Sequence, residues 1–581
     1  MFQNKIKTDL LFKLNLLIFL LITFYIFSFT NLFFYSTYGA DYQKYITYLE
    51  FFFGTVENTG SEQSPLYFFL VSFILNFRSK FISPTFLQSE ISFAIQLTNL
   101  FILLIGLLGL YFLLKQFNIS KNKIILVFHL LNIFPPMLSL RLTMKPEILV
   151  FALIPWFLYL INLFSKTKNI NFLFIALIPS VLISSSKGSW LGIFLIFGFF
   201  IFISIFKKLN IKSIFLLILL FFIIFSVVTY ENEQLNKFSV LDFQITENYN
   251  NSANLSIIYK NELGPRQSFN NFEFDVGTLL GITVLDTFSD HFNFFWDKDV
   301  SFFNQHRKEI IIENSSVNFF EIDTTNRNIK YNGPFKESLK NLRLIIGVCL
   351  TILFYIFILF FSVKQKKYRL YILSPFIGML ILLINALGFP TNNFDPFVAD
   401  TFKTFYYSPF LILAFTFLLI SLKKRSLFIQ ISFIVLYVFT MIFIYGFPKQ
   451  DSSEYIADLD DRNIRSVMCE TNKYLIFDLN NKSECLSKYD EFCKFQNSRV
   501  DEIITVEGTN KLDTSGFIIH RMFSEISSNK ITDNSCFEKQ KTSGLIDFSK
   551  IPKINILLLF SFFILILIQK NKNFRALLPS N

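Results

Sequence analysis

Apolar runs of about 20 residues, the length that carries a helix across a bilayer, recur from one end of this 581-residue chain to the other. In hydrocarbon every backbone polar group must be satisfied within the segment, so each run is expected to be helical. A mean hydropathy of +0.47 and a 52% hydrophobic content are too apolar for a soluble chain of this length. The runs lie at 10–34, 91–114, 124–140, 147–164, 170–185, 189–206, 213–230, 342–363, 370–388, 405–422, 427–446 and 554–569. The expectation is an all-α polytopic membrane protein with about twelve transmembrane helices. The first run lacks a small-residue cleavage site and is too long for a removable signal peptide, so it reads as a retained span. The 81 Phe residues accompany abundant Ile, Asn and Lys, and read as a compositional bias without functional content.

The net charge of +11 matters less than its placement. Basic residues gather in seven short gaps: Lys5/Lys7/Lys13, Lys115/Lys121/Lys123, Lys166/Lys168, Lys207/Lys208/Lys212, Lys364/Lys366/Lys367/Arg369, Lys423/Lys424/Arg425 and Lys570/Lys572/Arg575. Asp9 is the one acid among them. Positive charge near span ends marks the cytoplasmic side. Both termini are therefore expected inside, with the acidic gaps outside, in a bacterial cytoplasmic membrane. Pro65–Phe77 is apolar but too short to span, and reads as an outer juxtamembrane helix at the interface.

The domain organisation follows. Residues 1–230 form a membrane core with a first outer loop at 35–90, and 231–341 form a polar, Asn-rich outer loop. Residues 342–446 return to the membrane. Residues 447–553 form a small outer domain, α/β or mostly β, and 554–581 hold the last span and a cytoplasmic tail. Four of the five cysteines (Cys469, Cys485, Cys493 and Cys536) fall in that outer domain. An even number in an oxidising compartment suggests two disulfides with three possible connectivities, though free thiols remain an alternative. The cytoplasmic gaps leave no room for a nucleotide-binding domain, and GxxxxGK[ST] does not occur. Ionisable residues avoid the middle of the spans, unlike the pattern of ion-coupled transporters.

The polar chemistry gathers at the outer face. Asp41 follows the first span. With Lys44, Tyr45, Tyr48 and Phe52 it falls at helical spacing, a carboxylate placed to act as a base on a hydroxyl or, more plainly, to cap a helix. Arg141, Lys145 and Glu147 share a hairpin a few residues long, with Pro146 at a helix start. Two cations beside an acid there suit a phosphate-bearing lipid, or a capped turn. Lys187 in Ser184–Ser189 is a third candidate phosphate contact in what is also an ordinary polar turn. Asp286, Asp290, His291, Trp296, Asp297 and Asp299 crowd together in the second outer loop, as at the lip of a sugar site.

Taken together, these residues resemble the GT-C class of polyprenyl-phosphate-sugar glycosyltransferases. The likeness is to the bacterial branch related to protein O-mannosyltransferases and lipid A aminoarabinose transferases. It rests on Asp41 after the first span, on Ser64-Pro65-Leu66-Tyr67-Phe68, and on Lys145-Pro146-Glu147, and covers about residues 10–210. Gln63-Ser64 replaces the His-Pro often found there, and Glu147 stands where Asp is commoner. The resemblance implies inverting transfer of a monosaccharide from a polyprenyl-phosphate donor to an envelope glycan, lipid or protein. Asp41 and Glu147 would be catalytic, with Tyr45, Arg141, Lys145, Lys187, Asp290 and His291 binding substrate or phosphate. No cofactor, resident metal or nucleic-acid partner is expected. The rival readings are an O-antigen polymerase or ligase, to which His306-Arg307 is a weak pointer, and a non-enzymatic transporter of lipid-linked sugars.

Overall fold

The computed structural model describes residues 12–24, 27, 48–49, 51–54, 59, 63–82, 88–206, 209–237, 258–259, 266–269, 272–275, 278–288, 328–329, 337–388, 404–422 and 546–576. These are mostly helical. Helix α1 is Phe12–Phe24. Then follow α2 Pro65–Ile82, α3 Gln88–Gln116, α4 Lys121–Asn132, α5 Pro135–Leu142, α6 Glu147–Thr167, α7 Asn171–Ser184, α8 Gly188–Phe206 and α9 Ile211–Asn236. In the second polar region, β1 Arg266–Phe269 pairs antiparallel with β2 Phe272–Asp275 and parallel with β3 Asn328–Ile329, and α10 is Leu279–Asp286. The chain continues with α11 Glu337–Lys364, α12 Arg369–Gly388, α13 Ser408–Ser421 and α14 Lys553–Ala576.

Among the described residues, six helices are long and apolar enough to cross a membrane, or seven if a bent pair counts as one span. The remaining runs expected from sequence are shorter helices or lie outside the described residues. The bent pair is α4 and α5, which meet at 71° where the sequence pattern reads a single span over 124–140. The cause is local. Pro135 and Pro136 open α5, neither has an N–H to give to the preceding turn, and Phe134 before them is extended (φ −76°, ψ 121°).

Helix α6 is the centre of the bundle: most of its length is buried within the protein, whereas α9 is largely uncovered. An apolar helix left uncovered in this way has lipid as its natural solvent. The tight α3–α6 crossing is made possible by glycine. A Cβ at Gly106 would lie 2.6 Å from Phe151, and one at Gly109 would lie 2.7 Å from Trp156.

Among the described residues, three of the basic gaps meet at one end of the bundle. Lys123 Nζ donates to the carbonyls of Ile420 and Leu422 at 2.7 and 3.1 Å, Lys166 Nζ donates to Gln116 O at 2.5 Å, and Lys367 sits 4.9 Å over the Phe117 ring. The opposite end holds Glu147, Lys187, Glu231 and the start of α14.

Candidate functional site

The start of α6 builds the site. Pro146 precedes the helix in αR conformation and Glu147 is its first residue, so the carboxylate sits on the positive end of the helix dipole. Glu147 is completely buried. Lys187 lies in the turn joining α7 to α8, and its Nζ reaches Glu147 Oε1 at 3.5 Å. Neither oxygen of Glu147 receives a hydrogen bond. A buried carboxylate ordinarily collects several, so this one keeps hydrogen-bond acceptor capacity beyond its ion pair with Lys187.

A ring completes the cluster. Tyr406, in the turn Thr404–Tyr407 before α13, lies under both ammonium groups, 4.1 Å from Lys187 Nζ and 5.7 Å from Lys145 Nζ. A cation over an aromatic face is attracted by the ring's quadrupole, more so where water is excluded. Gly378 lets this turn approach α12, since a Cβ there would meet Tyr407 Cβ at 2.5 Å.

The hairpin between α5 and α6 is held from below. Asn99 Nδ2 donates to the carbonyls of Arg141 and Thr143 at 3.0 and 2.8 Å, and the Tyr67 hydroxyl donates to Asn99 Oδ1 at 2.9 Å. Burial pushes the Tyr67 phenol well above its ordinary range, so it stays a hydrogen-bond donor. The Pro-Leu-aromatic motif singled out in the sequence thus works through Tyr67, which steadies the backbone that carries Lys145. Ser64, at the start of that motif, donates its amide to Ser186 O at 3.0 Å and so ties the first loop to the Lys187 turn.

Of the residues read from sequence as a phosphate and acid cluster, Lys145, Glu147 and Lys187 come together. Arg141 is placed differently. Its guanidinium donates to Thr23 O of α1 and faces Asn132 Oδ1 of α4 at 3.5 Å, with 2% of the residue exposed. The bend at Phe134 turns Arg141 inward, where it joins α1, α4 and α5. Asp41, Tyr45, Asp290, His291, Cys469, Cys485, Cys493 and Cys536 lie outside the described residues. Tyr406 and Asn99 were missed by sequence reasoning, which named Tyr67 only as part of the Pro-Leu-aromatic motif. The Thr-Phe-Tyr-Tyr-Ser-Pro start of α13 was the one available pointer to Tyr406. Among the described residues no three His, Cys, Asp or Glu side chains are grouped to hold a metal. The chain matches no family model, no curated protein and no solved structure.

Proposed function

We propose that the chain is an inverting glycosyltransferase of the GT-C kind, moving a monosaccharide from a polyprenyl-phosphate donor to a cell-envelope acceptor at the outer face of a bacterial cytoplasmic membrane. The observation that carries this reading is the buried Glu147 carboxylate, without a hydrogen-bond donor, ion-paired with Lys187, whose ammonium shares the Tyr406 ring with that of Lys145. Two ammonium groups at one end of an apolar bundle are a seat for an anionic lipid headgroup. The carboxylate, ion-paired with Lys187 but accepting no hydrogen bond, is an acceptor for the hydroxyls of what that headgroup carries.

In the reaction, a bond forms between the acceptor oxygen and the anomeric carbon while the bond from that carbon to the phosphate oxygen breaks. The hydroxyl proton goes to Asp41. The leaving phosphate gains charge as the bond breaks, and Lys145 and Lys187 stabilise it, which lowers the barrier. Glu147 holds the Lys187 ammonium in place and orients the sugar. Arg141, committed to Thr23 and Asn132, sets the bend between α4 and α5. Asp290 and His291 would contact the acceptor.

Sugar transfer in proteoliposomes, with a panel of polyprenyl-phosphate monosaccharides, tests this. Consumption of one donor by the wild type and not by Asp41→Asn is the expected result. No turnover of any donor by folded protein would favour the pyrophosphate-linked polymerase or the transporter.

A further inference from the structure

We propose that the segment entering the last helix, Ile546 to Asn555, is a clamp that positions the Ser186–Lys187 turn. What the clamp is for rests on the glycosyltransferase reading; its existence does not.

The first amides of a helix have no partner within it, and the dipole there favours a negative charge. At the start of α14 both needs are met by a carboxylate from another helix. Glu231, near the end of α9, accepts the Ile554 amide at 2.7 Å, the Asn555 amide at 3.1 Å and the Asn555 side-chain amide at 2.9 Å. The Asn555 side chain also donates to Asn232 Oδ1 at 2.9 Å. These bonds fix the end of α9 against α14.

One helical turn after Asn232, on the same face of α9, stands Asn236. It donates to Gln63 O at 2.8 Å and accepts from the Thr59 hydroxyl at 3.0 Å. Gln63 O also accepts the Tyr48 hydroxyl at 2.7 Å. The next residue, Ser64, donates its amide to Ser186 O at 3.0 Å, and Ser186 precedes Lys187. The same strap grips the first loop a second time: the Asp547 amide donates to Phe52 O at 2.8 Å and Lys550 Nζ lies 4.7 Å over the Phe51 ring.

Asn232, Asn236 and Asn555 are at most 2% exposed. Breaking the bonds these buried amides make is costly, so the network resists small displacements, even though Asn555 Oδ1 itself accepts no hydrogen bond. Asn236 and Glu231 are positioning residues, acting on Lys187 through Gln63, Ser64 and Ser186.

Amide hydrogen exchange on the full chain in lipid nanodiscs tests this without any substrate. In Glu231→Ala, exchange at the Ser64 and Ser186 amides, as well as at Ile554 and Asn555, is expected to quicken roughly tenfold. In Asn236→Ala, Ser64 and Ser186 quicken while Ile554 and Asn555 keep wild-type rates. The milder Glu231→Gln, which retains one acceptor oxygen, gives a smaller change in the same places and serves if the alanine variant fails to fold. In the transfer assay, Asn236→Ala raises KM for the donor more than it lowers kcat. Quickening confined to Ile554 and Asn555 in the Glu231 variants would overturn the clamp. A wild type that transfers no sugar would instead sink the proposed function and leave the exchange result standing.

Discussion

At one end of the bundle Lys123 and Lys166 donate to backbone carbonyls, and Arg369 Nε donates to Ser362 O at 2.9 Å. At the other end Lys187 meets a buried carboxylate and an aromatic ring. The first arrangement completes helix ends: carbonyls of a last turn lack partners, and cations suit the negative end of the dipole. The second does not complete anything. Pairing two charges away from water contributes little net stability, and Glu147 keeps both oxygens without a hydrogen bond. The same residue type therefore closes helix ends at one end and meets a buried carboxylate without hydrogen bonds at the other.

The sharpest way to break this contrast is Lys187→Ala. It strands a fully buried carboxylate, and removing one partner of a buried pair costs about 3–5 kcal/mol. Thermal denaturation of the purified protein should show a clear drop in Tm, and the transfer rate should fall by about 10²–10³. An unchanged Tm would make Glu147 an ordinary helix-start acid. The double variant Glu147→Gln/Lys187→Met should regain most of the stability while transfer stays lost, since in the proposed function the pair serves the reaction more than the fold. Recovered transfer would contradict that. Tyr406→Leu should raise KM for the donor roughly tenfold, in line with about 1–2 kcal/mol for a cation over a ring, while Tyr406→Phe stays near wild type. A Phe variant as weak as the Leu variant would move the role to the hydroxyl. The smallest effect belongs to the opposite end. Lys123→Met should cost about 1 kcal/mol of stability for its lost carbonyl bonds and leave transfer unaltered. A transfer defect there would erase the distinction between the ends.

Much of this architecture was legible in the chain. Among the described residues, Lys123, Lys166 and Lys367, from three of the short basic gaps, lie at one end of the bundle, as a bias of positive charge to one side of the spans would have them. Pro146-Glu147 announced a helix start, and α6 begins there. Other features were not legible. A double proline inside an apolar run permits either a kink or a break, and the 71° bend depends on how α5 packs. Arg141 sits in sequence beside Lys145, yet its partner Thr23 is 118 residues away, and only the tertiary fold decides between them. Tyr406 and Asn99 belong to the site through contacts across the bundle, which leave no local pattern. The runs at 170–185 and 405–422 contain helices of 14 residues each, Asn171–Ser184 and Ser408–Ser421. Hydropathy marks such segments as apolar without fixing where the helix stops.

The most direct test of the two-ended account is lysine labelling of the protein in nanodiscs, with and without a polyprenyl-phosphate monosaccharide, read residue by residue by mass spectrometry. Lys145 is buried already, so the readout is Lys187, whose side chain is 14% exposed: the account predicts that the donor shields Lys187 from an amine-reactive reagent and leaves Lys123 and Lys166 unchanged. Equal labelling of Lys187 with and without a donor that the protein consumes would contradict it.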